Sequence, residues 1–388
     1  MIKDLAQKYF EEVKEIRHQI HMNPEVGLKE FKTSQLIKDT LDKYGIENET
    51  LYETGVVGLI KGGKPGKTVL LRADMDALEV DEMADVEYRS TIKGLMHACG
   101  HDGHVAGLLG AAMILNEIKD ELHGNVKLMF QPDEEKQGGA KPMIDAGILE
   151  NPKVDAAFGI HLWGLGKRGE VELCSGPMMA APDEFRVTIK GKGAHAAQPN
   201  VGIDPIVMAS QVVNGFQTIV SRVNNPLQPL VISTCMFHGG DAFNVIPEYV
   251  ELAGTVRSFD PEVREMAPQM MEAIVKNITN IYGGSYDYYH QFKYPALIND
   301  KAMYELAKKS VIKVSGEDSA IELRSLSMGG EDFAYLCQEV PSCFMLVGIS
   351  EEDGEPAIHH HPKFAWNDEV LIDTSSYLAQ VAIDFLNE

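Results

Sequence analysis

Cysteine is sparse in this sequence, with five residues in 388, at positions 99, 174, 235, 337 and 343. An odd, scattered set in so long a chain excludes a disulfide framework and points to a reducing compartment, the cytoplasm. Long apolar runs are missing as well. No stretch approaches the ~20 residues of a membrane span, and the opening "MIKDLAQKYFEEVKEIRHQI" reads as a charged amphipathic helix, not a signal peptide. Basic residues are outnumbered: 35 Lys and Arg stand against 58 Asp and Glu, a formal net charge of −23. That balance excludes nucleic acid and anionic membranes, which are gripped by clustered Lys and Arg. It leaves room for an acidic substrate, because a bound divalent cation reverses the local field.

What is present is a soluble globular composition, 44% apolar and 24% charged. The chain exceeds the roughly 250–300 residues at which single cores stop growing, so two domains are expected. Four short apolar runs read as buried strands: "TVLLRAD" (68–74), "NVKLMFQ" (125–131), "DAAFGIHLW" (155–163) and "CFMLVGI" (343–349). Between the first two, "DGHVAGLLGAAMILNEIKDEL" has apolar residues at helical spacing after Asp102 as expected N-cap. Alternating strands and helices imply an α/β sheet covered on both faces. From about 183 the texture changes to alternating strands and two amphipathic helices, a small α+β unit that reads as an insertion because α/β patterns resume near 295. There is no internal repeat and no low-complexity linker.

The densest chemistry lies in "HACGHDGH" (97–104), with three histidines, a cysteine and an aspartate. Spacing alone leaves a metal site, a redox site and a polar loop all open. An isolated Cys99–His101 pair is more often a buried thiol beside a solvated imidazole. What turns the reading is the rest of the chain. The first three buried runs end in "RADMD", "QPDEE" and "IHLW", and open α/β sheets bind ligands outside the carboxyl ends of their strands. Asp74, Asp76, Glu134, Glu135 and His161 are therefore expected at one rim, with the 97–104 cluster beside them. Cys and His in that company suit Zn²⁺ or a similar metal. The spacing is not that of a zinc finger or a helical zinc-protease motif. If Glu134 and Glu135 follow one another in extended backbone, their side chains point to opposite sides, one to a metal and one to a water. Asp76 would orient a metal-bound histidine or cap a turn. "AIHHHPKF" (357–364) offers three more histidines, and His195 in "GKGAHAAQP", taken alone, reads as a surface turn.

At this point the sequence resembles the metal-dependent amidohydrolases that include aminoacylases, hippurate hydrolases, certain carboxypeptidases and the plant indole-acetyl-amino-acid hydrolases. The resemblance is carried by "RHQIHMNPEVGLKE", "LRADMDALEV", "MHACGHDGH", "QPDEEKQGGAKPMIDAG", "GIHLW", "GKGAHAAQPNVGIDP", "NVIPEYVELAGTVRSFD", "MGGEDFAYL" and "HHPKFAWND", in family order over residues 17 to 368. It implies a phosphorylase/hydrolase-like α/β fold: a mixed-sheet, di-metal catalytic domain (1–181 and 294–388) with an inserted α+β lid and dimerisation domain (182–293). Position by position it assigns Cys99, His101, Glu135, His161 and His360 as metal ligands, Glu134 as general acid/base and Asp76 as the orienting carboxylate. His360 is chosen over its neighbours because the family's last ligand lies two residues before a proline, here Pro362. His195 matches a lid histidine that reaches the partner subunit's site, and Asn244 and Arg257 fall in lid segments that meet the substrate carboxylate or the oxyanion. Two departures bear on substrate choice: Asp133 stands where many relatives have Ala, and Glu79 replaces a common Pro.

The implied reaction is hydrolysis of an N-acyl amino acid, N-acetyl or N-benzoyl in type, using two divalent cations per subunit. Mn²⁺ or Zn²⁺ is expected, with Co²⁺ and Ni²⁺ compatible with the same donors. A dipeptidase or carboxypeptidase on the same site is the alternative. A non-catalytic metal-binding dimer would be marked by loss of Glu134 or Asp76, and both are present.

Overall fold

The computed structural model describes residues 1–351 and 356–388. The chain divides into two compact units, one formed by Met1–Met178, Ile298–Ser325 and Asp332–Glu388, the other by Met179–Leu297 and Leu326–Glu331.

The first unit is built on an eight-stranded mixed sheet. Its strands are β1 (Glu47–Thr50), β2 (Val56–Lys61), β3 (Lys64–Asp74), β4 (His123–Gln131), β5 (Ala156–Lys167), β6 (Val171–Leu173), β7 (Ala320–Glu322) and β8 (Ser342–Ser350), in the order β1-β2-β4-β3-β5-β8-β6-β7. The centre is parallel: β3 runs with β4 and β5, and β5 with β8. All nine residues of β8 are buried, as a continuous apolar run in a covered parallel sheet requires. Five helices join this core: α1 (Ile2–Met22), α2 (Phe31–Lys43), α3 (His101–Glu117), α4 (Lys301–Ser315) and α5 (Val370–Leu386). The first is amphipathic as its sequence predicts, burying Ile2, Ala6, Val13, Ile16 and Ile20. Helix α3 is buried from His101 through Leu115, so nearly its whole circumference is core.

Two features of this frame position the site. The pairing of β3 with β5 stops at Arg72↔Gly159, whereas β5 continues to Lys167 against β8. His161 is thus inside a strand, not at its end as the apolar run suggests, and it lies past the last residue that β3 pairs. Helix α3 starts at His101 with Gly100, at φ +93, in the N-cap position. This corrects the expectation that Asp102 caps it. A left-handed backbone there suits glycine, and the Asp102 carboxylate goes instead to Arg17 Nε and His21 Nδ1, at 3.0 and 2.9 Å.

The second unit has its own hydrophobic core. A four-stranded antiparallel sheet runs in the order Leu230–His238, Tyr249–Ser258, Ala181–Lys190, Ser285–Gln291. Helices Pro205–Thr218 and Pro261–Tyr282 lie on it, started by the side chains of Asp204 and Asp260, each accepting two backbone N–H groups. Met208, Val212, Phe216, Met271 and Val275 from the helices meet Phe185, Val187, Ile189 and Leu252 from the sheet.

Candidate metal centre

The loops at the carboxyl ends of the parallel strands bring the donors together. The turn at Gly100 lets Cys99 and His101 face the same space, where ligand atoms of Cys99, His101 and His161 lie within 4.8 Å of one another. A second group, Cys99, Glu135 and His360, meets the same limit. Cys99 belongs to both, and its Sγ is 3.4 Å from His161 Nε2. The last histidine arrives on a loop whose His360 N–H donates to Ala98 O at 2.8 Å, which sets His360 Nε2 3.3 Å from Glu135 Oε1. His359 is turned away: its Nε2 bonds Leu162 O at 2.8 Å.

The ring nitrogens identify the acceptors. His101 Nδ1 donates to Asp76 O at 2.8 Å, and His161 Nδ1 to Leu162 O at 2.7 Å. In each ring the other nitrogen, Nε2, is left as the acceptor and points into the cluster, the arrangement that carbonyl-bonded metal ligands adopt. His101 Nε2 is buried and has no hydrogen-bond partner among the described residues. A thiol, two imidazole acceptors and a carboxylate are the donor set of a borderline divalent cation, so these residues fit such a group.

The field agrees. Burial weighs against a charged His101, but Asp74, Asp76 and Glu135 outweigh it and lift its pKa to about 10. The Cys99 thiol is pushed well up, by burial first and then by the charges of Glu135, Glu134 and Asp74. A place that holds protons this tightly is one that favours positive charge, and divalent cations satisfy it better than protons do.

Below the donors lies a layer of buried polar groups. Asp76 accepts the N–H of Glu134 on Oδ1 (3.0 Å) and of Glu135 on Oδ2 (3.1 Å), while Oδ1 sits 3.3 Å from His101 Nδ1. One carboxylate therefore sets both the imidazole and the turn that carries the two glutamates. That turn corrects the extended backbone expected for Glu134 and Glu135. Their carboxylates converge, with ligand atoms of His101, Glu134 and Glu135 within 4.8 Å of one another. Asp74 is bonded by Arg72 Nη1 at 2.6 Å and by His104 Nδ1 at 2.5 Å, and His104 Nε2 accepts the Leu162 N–H at 2.9 Å. Burial opposes the Asp74 charge, yet Arg72 and the two histidines hold its pKa well below the usual range.

Residues 70–384 match the family described as Peptidase family M20/M25/M40. The chain belongs to that family. It is 42% identical to thermostable carboxypeptidase 2 of Saccharolobus solfataricus, over 99% of this chain and all of the relative. It is 44% identical to an N-acyl-L-amino acid amidohydrolase of Geobacillus stearothermophilus, over 77% of this chain and 80% of that one. Among solved structures, a dinuclear metal-binding peptidase of the M20 family from Bacillus subtilis superposes with a TM-score of 0.86 at 32% identity, covering 98% and 99% of the two chains. This M20 protein is accordingly a hydrolase of amide bonds with a mixed α/β fold.

Three further M20 site candidates lie in the second unit. His195 pairs with Val245 across a two-residue ladder, and the Ala196 N–H donates to Asn244 O at 3.0 Å, so His195 and Asn244 are neighbours there. Arg257 is at the other end of strand Tyr249–Ser258, between Val231 and Pro182, with its Nη1 buried and lacking a hydrogen-bond partner among the described residues. Of the two departures, Glu79 pairs with Lys136 at 3.2 Å on the surface, and Asp133 adopts φ +55 directly before Glu134. Sequence reasoning weighed His104 only as one of the three histidines of 97–104, without a role of its own, and passed over Arg17 and His21. The spacing of Arg17 and His21, one helical turn apart in "RHQIH", is the signal that would have found the last two.

Proposed function

We propose that this protein hydrolyses the amide bond of N-acyl amino acids, with Cys99, His101, Glu135, His161 and His360 holding two divalent cations and Glu134 moving the proton. The observation that carries this reading is the pair of donor groups sharing Cys99, with the Glu134 carboxylate beside them. The cations, bound, would supply Lewis acidity that lowers the pKa of a water and polarises the substrate carbonyl. Glu134 takes the proton from that water and later delivers it to the leaving amine. Asp76 keeps Glu134 in place through its backbone N–H.

The free carboxylate of the substrate pairs with Arg257, whose half-buried guanidinium, with Nη1 lacking a hydrogen-bond partner among the described residues, suits an incoming anion. His195 stabilises the developing oxyanion, acting on the partner's site in a homodimer built through the second unit, and Asn244 meets the substrate carboxylate or that oxyanion. The mixed S, N and O donors suit Mn²⁺ or Zn²⁺, with Co²⁺ and Ni²⁺ compatible. The cytoplasm is the compartment in which such a thiol ligand stays reduced. A peptide-cleaving reading is favoured by one observation, the 42% identity to a protein named carboxypeptidase.

One panel tests the proposal. Glu134→Gln is expected to keep the parent's metal content while losing about 10²–10⁴-fold in kcat on N-acetyl and N-benzoyl amino acids. Mixed with His195→Ala, it is expected to regain part of the lost turnover. Full activity of Glu134→Gln would remove it as the base, and dipeptides outrunning every N-acyl amino acid would favour the peptidase reading.

A further inference from the structure

The turn that carries Glu134 and Glu135 is held by two buried carboxylates, and Asp76 is one. The other is Glu30. Its Oε1 accepts the Asp133 N–H at 3.0 Å, one residue before the base, and its Oε2 accepts the Thr54 hydroxyl at 2.6 Å. Glu30 is 0% exposed and Thr54 is 2% exposed. Three consecutive amides, those of Asp133, Glu134 and Glu135, thus end on carboxylate oxygens: the first on Glu30, the next two on Asp76. The conformation they fix is not one the chain adopts freely, since Asp133 is a non-glycine residue at φ +55. Asp133 O closes the turn by accepting the Gly138 N–H at 2.9 Å.

The segment leading to Glu30 serves the other loop of the site. Glu25 O accepts the N–H of Ala77, next to Asp76, at 2.8 Å. The Glu25 carboxylate accepts the N–H groups of Lys32 and Thr33 at 2.9 and 3.0 Å, tying the segment to the start of α2. Gly27 lies so close beneath Asp133 that a Cβ there would come within 1.8 Å of Asp133 Oδ1. Residues 25–30 therefore touch both the loop bearing Asp76 and the turn bearing Glu134.

We propose that Glu30 is a positioning residue for the hydrolytic reaction, acting through the Asp133 amide to hold the Glu134 carboxylate in register with the donor groups. The inference rests on the reading of Glu134 as the base. The group that matters is the oxygen that reaches Asp133, not its charge. Burial pushes the Glu30 carboxyl up to about 7, and a neutral acid offers the same acceptor as its amide isostere.

The test is a series at position 30 assayed for kcat, KM and metal content, with Glu134→Gln alongside. Glu30→Gln keeps an oxygen at the same reach and is expected within about 3-fold of the parent kcat, whereas Glu30→Asp keeps the charge but retracts it and is expected to lose about 10-fold. Glu30→Leu removes the acceptor and is expected to lose on the order of 10²-fold, the cost of a base displaced by about 1 Å. Metal content and KM are expected to stay near the parent's. A role in charge balance predicts the opposite order, Asp above Gln, and a role in folding alone leaves kcat per folded, metal-loaded molecule unchanged, so this pair decides even if the Leu variant does not fold. The proposal is overturned if Asp matches or exceeds Gln, if neither Asp nor Leu changes kcat, or if the loss falls on KM alone. An active Glu134→Gln would instead sink the base reading and this inference with it. An inactive Glu134→Gln beside a fully active Glu30→Leu would sink this inference alone.

Discussion

Cys99 is the residue on which both donor groups depend, and it is also the one that must change state. Burial and three acids keep its thiol protonated well above the usual range, whereas a metal ligand must be the thiolate. If Cys99 is a ligand as proposed, loading the cations has to expel that proton. Metal-free protein titrated with Zn²⁺ in weakly buffered indicator solution is expected to release about one proton more than a Cys99→Ala variant, with apparent affinity falling as pH falls. Equal release by both proteins would show that Cys99 is not a ligand. At this scale the sequence displayed the donor types and their segments, because strand ends collect polar chemistry. It did not display how they are aimed. Whether Cys99 and His101 face the same point depends on the φ of Gly100, and whether Glu134 and Glu135 diverge depends on a turn closed by Gly138. Both are backbone torsions that residue spacing does not encode. Asp76 was read as a partner of a histidine, and its grip on two amides came to light only with that turn.

Among the elements, α3 shows how packing delivers a candidate donor. It begins at His101, and its first turn has no room to spare: a Cβ at Gly103 would lie 2.4 Å from Trp366 Cζ2 and 2.6 Å from Leu162 Cδ1. Trp366 cannot step back easily, because the Arg17 guanidinium stacks on its ring at 3.5 Å. Gly103→Ala gains up to about 1 kcal/mol of helix propensity, but overpacking typically costs about 1–3 kcal/mol. The net expectation is a lower urea midpoint with weaker metal retention, since the strain falls two residues from His101. A midpoint at or above the parent's would mean the first turn is looser than these distances imply. Buried elements were the legible ones. The runs that became β3, β4, β5 and β8 are continuous and apolar, and the helices repeat at helical spacing. The strands of the two main sheets that escaped notice include Glu47–Thr50, Val171–Leu173, Ala320–Glu322 and Ser285–Gln291, which are short or lie at sheet edges, and Val56–Lys61, a buried interior strand whose run is broken by Gly58. "ENET" and "SYDYYHQ" carry polar residues toward solvent, which leaves little apolar periodicity to read.

For the molecule as a whole, a second buried ionic cluster ties distant parts of the chain together, and it sets a pH dependence. His21 on α1 donates from Nδ1 to Asp102 at 2.9 Å and from Nε2 to Glu82 at 3.2 Å, a pattern that requires the imidazolium. Arg17, one turn earlier, reaches Asp102 and also Asp368 near the C-terminus. Burial works against the His21 charge, but Asp102 and the hydrogen bonds to Asp102 and Glu82 prevail and lift its pKa from 6.5 to about 9. A pKa raised by folding means that the folded state holds the proton more tightly. The stabilisation is therefore complete below about pH 6.5 and is lost as pH rises through about 9. A shift of this size corresponds to about 3 kcal/mol. Between pH 6.5 and 9.5 the parent is expected to lose about 3 kcal/mol more of its urea-unfolding stability than His21→Gln, which cannot carry the charge and is less stable at pH 6.5, the titration of His101 being common to both. Parallel slopes for parent and variant would show that His21 is neutral in the folded protein. Losing the His21 charge also leaves Asp102 and Glu82 facing each other across a neutral ring. Acid removes a separate contribution, that of Asp74 and Asp102, whose carboxyls, against the cost of burial, Arg72, Arg17 and the histidines hold well below the usual range. The loss centred near pH 9 is therefore the part that His21→Gln abolishes.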